Sequence, residues 1–313
     1  MSAPDRIRLV CTDLDGTLLD ERGEIGPLTR AALTEAARGG VPVVGVTGRP
    51  LRDALSVCRD IGMDGLMVCS NGAVVAEVGT GQALRCRGFS RGRTAAVLAR
   101  LRARLPGVVL GVDTLRGLFL ERGFEELVPD CWQHVCVRDA TEALLPGDGV
   151  VKILAVHPDR PVRALARALV RPGDGVRATR STPYFLEIAP TGVDKGAALR
   201  WLAGHHAVRV TAVAAVGDMP NDLPMLSAAG LAAAVANAHA SVRRCADLIL
   251  PSNEEEGVAD LLSMVLSARR EEAACGGGRE RRTRRHGRGP GAALRGGTTG
   301  PSAPSDRRRG ATR

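Results

Sequence analysis

The chain alternates apolar runs with amphipathic stretches, and that alternation sets the expected elements. Residues 7–12 are almost continuously apolar and read as a buried strand. Residues 27–38 have helical spacing, with Pro27 at the start and the pair Gly39-Gly40 after the end. A second strand is expected in VPVVGVTG from Val41, a helix over residues 50–60 and a third strand over residues 65–69. Strands apolar at every position and separated by helices imply a parallel sheet covered on both faces. The pattern returns near the C-terminus. There a helix is expected over residues 194–203, a strand over 211–216, a helix over 221–229 and a strand in LAAAVANA. A helix over 240–246, a strand in DLILPS and a helix over 257–270 follow.

The middle of the chain breaks this rhythm. A helix over residues 94–104 is followed by short strands in VVLGVD, GLFLE and VVKILAVH, a helix over 163–170 and a strand in FLEIAP. The expected organisation is an α/β protein: a Rossmann-like parallel core interrupted by an α+β insertion. Residues 1–88 and 186–271 would form the two halves of the core, 89–185 the insertion and 272–313 a tail.

Composition changes this picture in three places. Aromatic residues are only 2% of the chain, so the core must be built from Val, Leu, Ile and Ala. The formal net charge of +9 suggests an acidic partner, but its location argues otherwise. Residues 276–313 hold 11 Arg against Glu280 and Asp306, which accounts for the whole surplus and leaves the rest of the chain neutral. The folded part is therefore not a nucleic-acid-binding surface by bulk charge. The Gly-, Arg- and Pro-rich tail reads as a disordered extension, with weak nucleic-acid contacts as its alternative use. The eight cysteines form no CxxC pair and several lie inside apolar runs, which fits free thiols in a reducing compartment. With no signal-peptide core and no apolar run of membrane-spanning length, a soluble cytoplasmic protein is expected.

The chemistry sits at the ends of the apolar runs. The first strand runs into Asp13-Leu14-Asp15-Gly16-Thr17, two carboxylates that repel unless a cation or a reaction uses them. The second ends at Thr47-Gly48-Arg49, where a hydroxyl and the unpaired N–H groups of a helix start suit an anion. The third ends at Ser70-Asn71. A late strand ends in Gly217-Asp218-Met219-Pro220-Asn221-Asp222. Only two lysines stand against 41 arginines, and one, Lys195, falls in the first turn of a helix, where a cation opposes the helix dipole. An anionic partner would resolve that conflict. The other, Lys152 in VVKILAVH, is a candidate for substrate choice within the insertion, with a structural strand lysine as the favoured reading. His134, His157, His205 and His206 show no metal-ligand spacing. Open α/β sheets bind ligands at the carboxyl ends of their strands, so four such ends are expected to converge.

Taken together, DLDGT at residues 13–17, TGR at 47–49, Lys195 in GVDKG and GDMPND at 217–222 resemble the haloacid dehalogenase-like superfamily. SNGA at 70–73, NDLPML, VANAHASVRRCAD and the Asn253…Gly257-Val258-Ala259 ending resemble its Cof-type, class IIB branch, whose C2B-type cap lies where the insertion falls. The resemblance implies a Mg²⁺-dependent phosphatase acting on a small phosphorylated metabolite such as a sugar phosphate or cofactor phosphate. It implies Asp13 as nucleophile, Asp15 as general acid and base, and Thr47 and Lys195 as phosphoryl-binding groups. Mg²⁺ would be held by Asp13, the Asp15 carbonyl and Asp218, with Asp222 orienting Lys195 or a metal-bound water. Asn221 would lie near the phosphate, and Gly48, Arg49 and Asn71 would contact substrate. A phosphomutase and a non-catalytic binding protein on the same scaffold are the alternatives.

Overall fold

The computed structural model describes residues 7–128, 133–145, 149–180 and 182–283. The first half of the chain lays down three parallel strands, β1 (Leu9–Thr12), β2 (Val43–Val46) and β3 (Leu66–Cys69). They are linked by α1 (Pro27–Arg38) and α2 (Leu51–Asp60). Pro27 occupies the first positions of α1 and Gly39 follows its last turn, as the sequence pattern requires. An antiparallel pair, β4 (Val74–Glu77) and β5 (Ala83–Cys86), extends the sheet beyond β3. This pair was not expected: β5 alternates half-buried and exposed positions, and an edge strand of that kind lacks the apolar run that marks the others.

The middle segment builds a second sheet. After α3 (Arg91–Arg104) come β6 (Val109–Thr114), β7 (Leu118–Glu121), α4 (Phe124–Leu127), β8 (His134–Val137), β9 (Val150–Val156), α5 (Val162–Leu169), β10 (Val176–Thr179) and β11 (Leu186–Pro190). The six strands are ordered β10-β11-β9-β6-β7-β8, antiparallel except for β7 with β8. Leu186–Pro190, the strand expected last in the middle segment but cut off from it by a boundary drawn at residues 185/186, pairs with β9 and β10. The return to the core therefore follows Pro190; the apolar strand FLEIAP fits either sheet by pattern alone. The inserted sheet has its own apolar cluster, in which Leu98, Leu101, Leu110, Ile153 and Leu165 pack away from the main core.

The second half of the core follows: α6 (Lys195–His205), β12 (Val213–Gly217), α7 (Leu223–Leu226), β13 (Leu231–Val235), α8 (Ala240–Arg243), β14 (Leu248–Leu250) and α9 (Gly257–Thr283). The helix expected over 221–229 is a 3-10 turn, Pro220–Asp222, and then the single turn of α7. The chain must re-enter the sheet at Leu231, and Gly230 packs against the Thr211 backbone, with room for no side chain. The last helix runs on past the expected end at residue 270 and past the start of the expected disordered tail at 272. Once a helix is nucleated, adding a turn costs little. Met1–Glu272 form one compact unit and Ala273–Arg313 a second. Of the second unit only residues 273–283 are described, and they are helical. The rest of the basic tail lies outside the described residues.

The core sheet is ordered β14-β13-β12-β1-β2-β3-β4-β5. From β1 the chain winds outward through β2 and β3, and from β12 outward on the other side. Right-handed crossovers then put the two sets of helices on opposite faces, and the winding reverses between β1 and β12. That switch point is where an open α/β sheet forms its ligand crevice. Among the described residues no helix is long and apolar enough to cross a membrane.

Candidate active site

β1 and β12 are adjacent and in register from Leu9 with Val213 to Thr12 with Val216. The residues that follow them, Asp13 and Asp218, therefore emerge side by side. Gly16 turns the chain away from β1 with φ +74°, and a side chain there would meet Asp218 Oδ2 at 2.8 Å. Thr17 donates its hydroxyl to Asp218 Oδ1 at 3.1 Å, closing the loop onto the neighbouring strand. Gly16→Ala is thus expected to destabilise the fold by about 1–2 kcal/mol through backbone strain alone. It should also weaken divalent-cation binding by displacing Asp218; chemical denaturation and a cation titration would measure the two effects.

Lys195 begins α6, whose N-cap, Asp194, accepts from Ala197 N at 2.7 Å. The ammonium is fully buried and donates to Asp13 Oδ1 at 2.5 Å and Asp222 Oδ1 at 2.6 Å. These two carboxylates are the anionic partners that the position of Lys195 demanded. They push the lysine pKa up against the desolvation that opposes it. Asp222 uses its other oxygen to accept from the backbone N–H groups of Asp218 at 3.0 Å and Met219 at 2.9 Å. That close fold leaves no room for a side chain at Gly217.

Asp13, Asp218 and Asp222 can bring one oxygen each within 4.8 Å of one another. Both oxygens of Asp222 already serve Lys195 and the backbone, so Asp13 and Asp218, which hydrogen-bond to each other in the metal-free protein, are the members a cation would engage. Burial first, then the charge of Asp222, raises the Asp13 carboxyl well above its usual range despite Lys195. The same two causes raise Asp218 to about 6. Buried carboxylates that resist ionisation, hard oxygen donors and a close cluster together fit a divalent cation such as Mg²⁺. The pH consequence has a definite sign. The unfolded chain releases these protons near the ordinary carboxyl value and the folded chain holds them longer. Without metal, stability therefore falls as pH rises from about 4 through about 6. A cation would remove that penalty, so added Mg²⁺ should raise the unfolding temperature more at about pH 7.5 than at about pH 5. Thermal scans at the two pH values check this.

In front of this cluster lies a cavity of about 210 Å³ lined by Asp13, Asp15, Gly48, Arg49, Thr182, Met219 and Asn221. Arg49 forks onto Asp15, with Nε at 2.9 Å from Oδ2 and Nη2 at 2.5 Å from Oδ1. Of the expected site residues, Asp13, Asp15, Gly48, Arg49 and Asn221 face the cavity, with Lys195 and Asp222 linked to Asp13 behind it. Thr47 is fully buried and does not line the cavity; its hydroxyl accepts from Arg49 N at 3.0 Å and shapes the loop. Asn71 reaches the site through Asn221, which donates to it at 3.0 Å. Sequence reasoning missed Thr182, the one cavity-lining residue from the inserted segment, which sits in no motif. It also left out Asp113 and Glu187, buried acids whose strand pattern does not separate them from ordinary half-buried positions.

A larger cavity of about 600 Å³ lies near the opposite strand ends, between α1 and the starts of β2 and β3, away from the acidic cluster. Among the described residues, all six cysteine side chains are unpaired thiols, as expected; burial pushes Cys11 up to about 12. Cys131 and the Cys275 side chain lie outside the description.

The chain is similar in sequence and fold to known proteins. The crystal structure of TM0651 from Thermotoga maritima is 27% identical, with a TM-score of 0.68 over 82% of this chain and 97% of that one. The 5-amino-6-(5-phospho-D-ribitylamino)uracil phosphatase YwtE of Bacillus subtilis is 25% identical over 83% of this chain and 99% of its own length. The chloroplastic endoribonuclease YBEY of Arabidopsis thaliana is 26% identical over 80% of this chain, which spans only 45% of that longer protein. Residues 10–262 match the family described as haloacid dehalogenase-like hydrolase, and the chain belongs to that family.

Proposed function

We propose that this hydrolase is a phosphatase that cleaves the phosphate monoester of a small metabolite, a sugar phosphate or a cofactor phosphate. The observation that carries the reading is the meeting of Asp13, Lys195 and Asp218 at the switch point, behind a small cavity with Asp15 and Arg49 at its wall. The relative named as a phosphatase of a ribityl phosphate supports the substrate class.

Asp13 Oδ1 is occupied by Lys195, so Oδ2 is the oxygen available to attack phosphorus. The P–O bond to the leaving alcohol breaks, Asp15 gives that oxygen a proton, and an aspartyl-phosphate forms on Asp13. Asp15 then takes a proton from water as the water attacks phosphorus, releasing inorganic phosphate and restoring the Asp13 carboxylate. Lys195 offsets charge on the phosphoryl oxygens, and the Gly48–Arg49 loop offers further donors. Asp13, Asp218 and the Asp15 carbonyl would hold Mg²⁺, whose charge eases the approach of an anionic nucleophile to an anionic substrate. Arg49 is a bidentate partner for phosphate as well as for carboxylate, so an arriving phosphoryl group competes for it and releases Asp15 for proton transfer.

The test is phosphate release from a panel of phosphorylated sugars, nucleotides and cofactors, with Mg²⁺ and with EDTA. Metal-dependent release of inorganic phosphate is expected. Transfer between positions of the substrate without release would point to a mutase instead.

A further inference from the structure

The phosphoryl-binding surface is not made by the core alone. Three buried charged residues of the inserted sheet, Asp113 on β6, Lys152 on β9 and Glu187 on β11, share one of its faces. Asp113 pairs directly with Lys152, and Glu187 pairs with Leu154, two residues further along the strand. Each is about 1% exposed. Each reaches across to the core. Lys152 Nζ donates to the Gly48 carbonyl at 2.6 Å and to Glu187 Oε1 at 2.6 Å. Asp113 accepts from the Ser70 hydroxyl at 2.7 Å. Glu187 Oε2 accepts from Asn71 Nδ2 at 2.8 Å.

The three core partners form one piece of backbone. Ser70 N donates to the Arg49 carbonyl at 2.9 Å and Asn71 N to the Thr47 carbonyl at 3.0 Å, joining the loops after β2 and β3. Ser70 and Asn71 are consecutive residues with positive φ, 48° and 54°, and neither is glycine. Such a pair persists only where its surroundings hold it. The inserted sheet supplies that hold from one side. Glu187 does more than grip. An ionised carboxylate only accepts, so Asn71 must turn its NH₂ toward Glu187 and its Oδ1 toward Asn221. Asn221 must then bring its own NH₂ to Asn71, as observed at 3.0 Å. Asn221 lines the cavity and its Oδ1 has no hydrogen-bond partner, so the order of these amides sets what the cavity wall presents to a ligand.

We propose that Lys152 and Glu187 are positioning residues of this site. Lys152 fixes the Gly48 peptide, and Glu187 orders the Asn71–Asn221 amides, so the phosphoryl-binding surface is complete only with the inserted sheet seated on the core. This rests on the phosphatase reading above.

Two variants separate positioning from a merely structural ion pair. Glu187→Gln keeps shape but turns an acceptor into a donor facing Asn71. Lys152→Met with Glu187→Met removes both charges together, a change that buried pairs often tolerate without loss of folding. Turnover of p-nitrophenyl phosphate and calorimetric binding of inorganic phosphate are read for each, beside unfolding temperature. Both variants are expected to fold, to lose roughly ten- to a hundredfold in kcat and to bind inorganic phosphate several-fold more weakly. Folded variants with kcat and phosphate affinity within about twofold of the parent would overturn the inference and reduce the network to a clamp. If the parent chain releases no phosphate, the phosphatase reading has failed. The calorimetric comparison still decides whether Glu187 and Lys152 shape an anion site.

Discussion

Replacing Asp13 with Asn is expected to lower phosphate release by roughly 10⁴-fold or more while leaving the protein folded. The substitution keeps the size of the side chain but puts a weakly nucleophilic amide where the attacking carboxylate stood. Its effect should fall on kcat, because the groups that hold the phosphoryl oxygens remain. The stability prediction runs the other way. Burial and Asp222 both oppose ionisation of Asp13 in the metal-free protein, and Lys195 keeps Asp222 as a partner when Asp13 becomes neutral. Thermal unfolding in EDTA at about pH 7.5 should therefore show the variant at least as stable as the parent. A gain in stability beside a loss of turnover is the mark of a group kept for chemistry.

Lys195→Met is expected to harm both properties. It removes the buried cation from among Asp13, Asp222 and Asp218, leaving three acids facing each other with no positive charge among them. Breaking a buried ion pair from one side costs about 3–5 kcal/mol, and here two carboxylates lose their partner at once. Loss of charge stabilisation on the phosphoryl group should lower kcat by a further roughly 10²–10³-fold. Denaturant titrations with and without Mg²⁺ would check the stability effect, which should be larger without metal. Arginine should not rescue the site. Its planar fork cannot reproduce a compact ammonium held at 2.5 and 2.6 Å by two carboxylates at the first residue of a helix.

The core of this site was legible because it lies where strands end. An apolar strand that stops at Asp13, Thr47, Ser70 or Asp218 announces a crevice, and parallel topology brings those ends together without help from any particular side chain. Lys195 was legible as a conflict with its own helix. The inserted sheet was not legible in the same way. Lys152, Asp113 and Glu187 sit in strands whose pattern says buried and little more, and the core hydroxyl, carbonyl or amide each one meets lies 43 or more residues away in sequence. Thr182 follows β10 in a segment with no apolar period to fix its direction. The hairpin of β4 and β5 was missed for the opposite reason: its outer strand is too polar to look like sheet. Local pattern identifies what a strand end offers, but it does not say which second layer closes over it.

Above all, Asp13 is expected to carry the phosphoryl group. Acid-quenching the chain during turnover of p-nitrophenyl phosphate with Mg²⁺, then mapping the modified peptide by mass spectrometry, would decide this. One phosphoryl group is expected on the peptide containing Asp13, and none in the Asn variant. Steady phosphate release with an unmodified Asp13 peptide, undiminished when Asp13 is Asn, would contradict it.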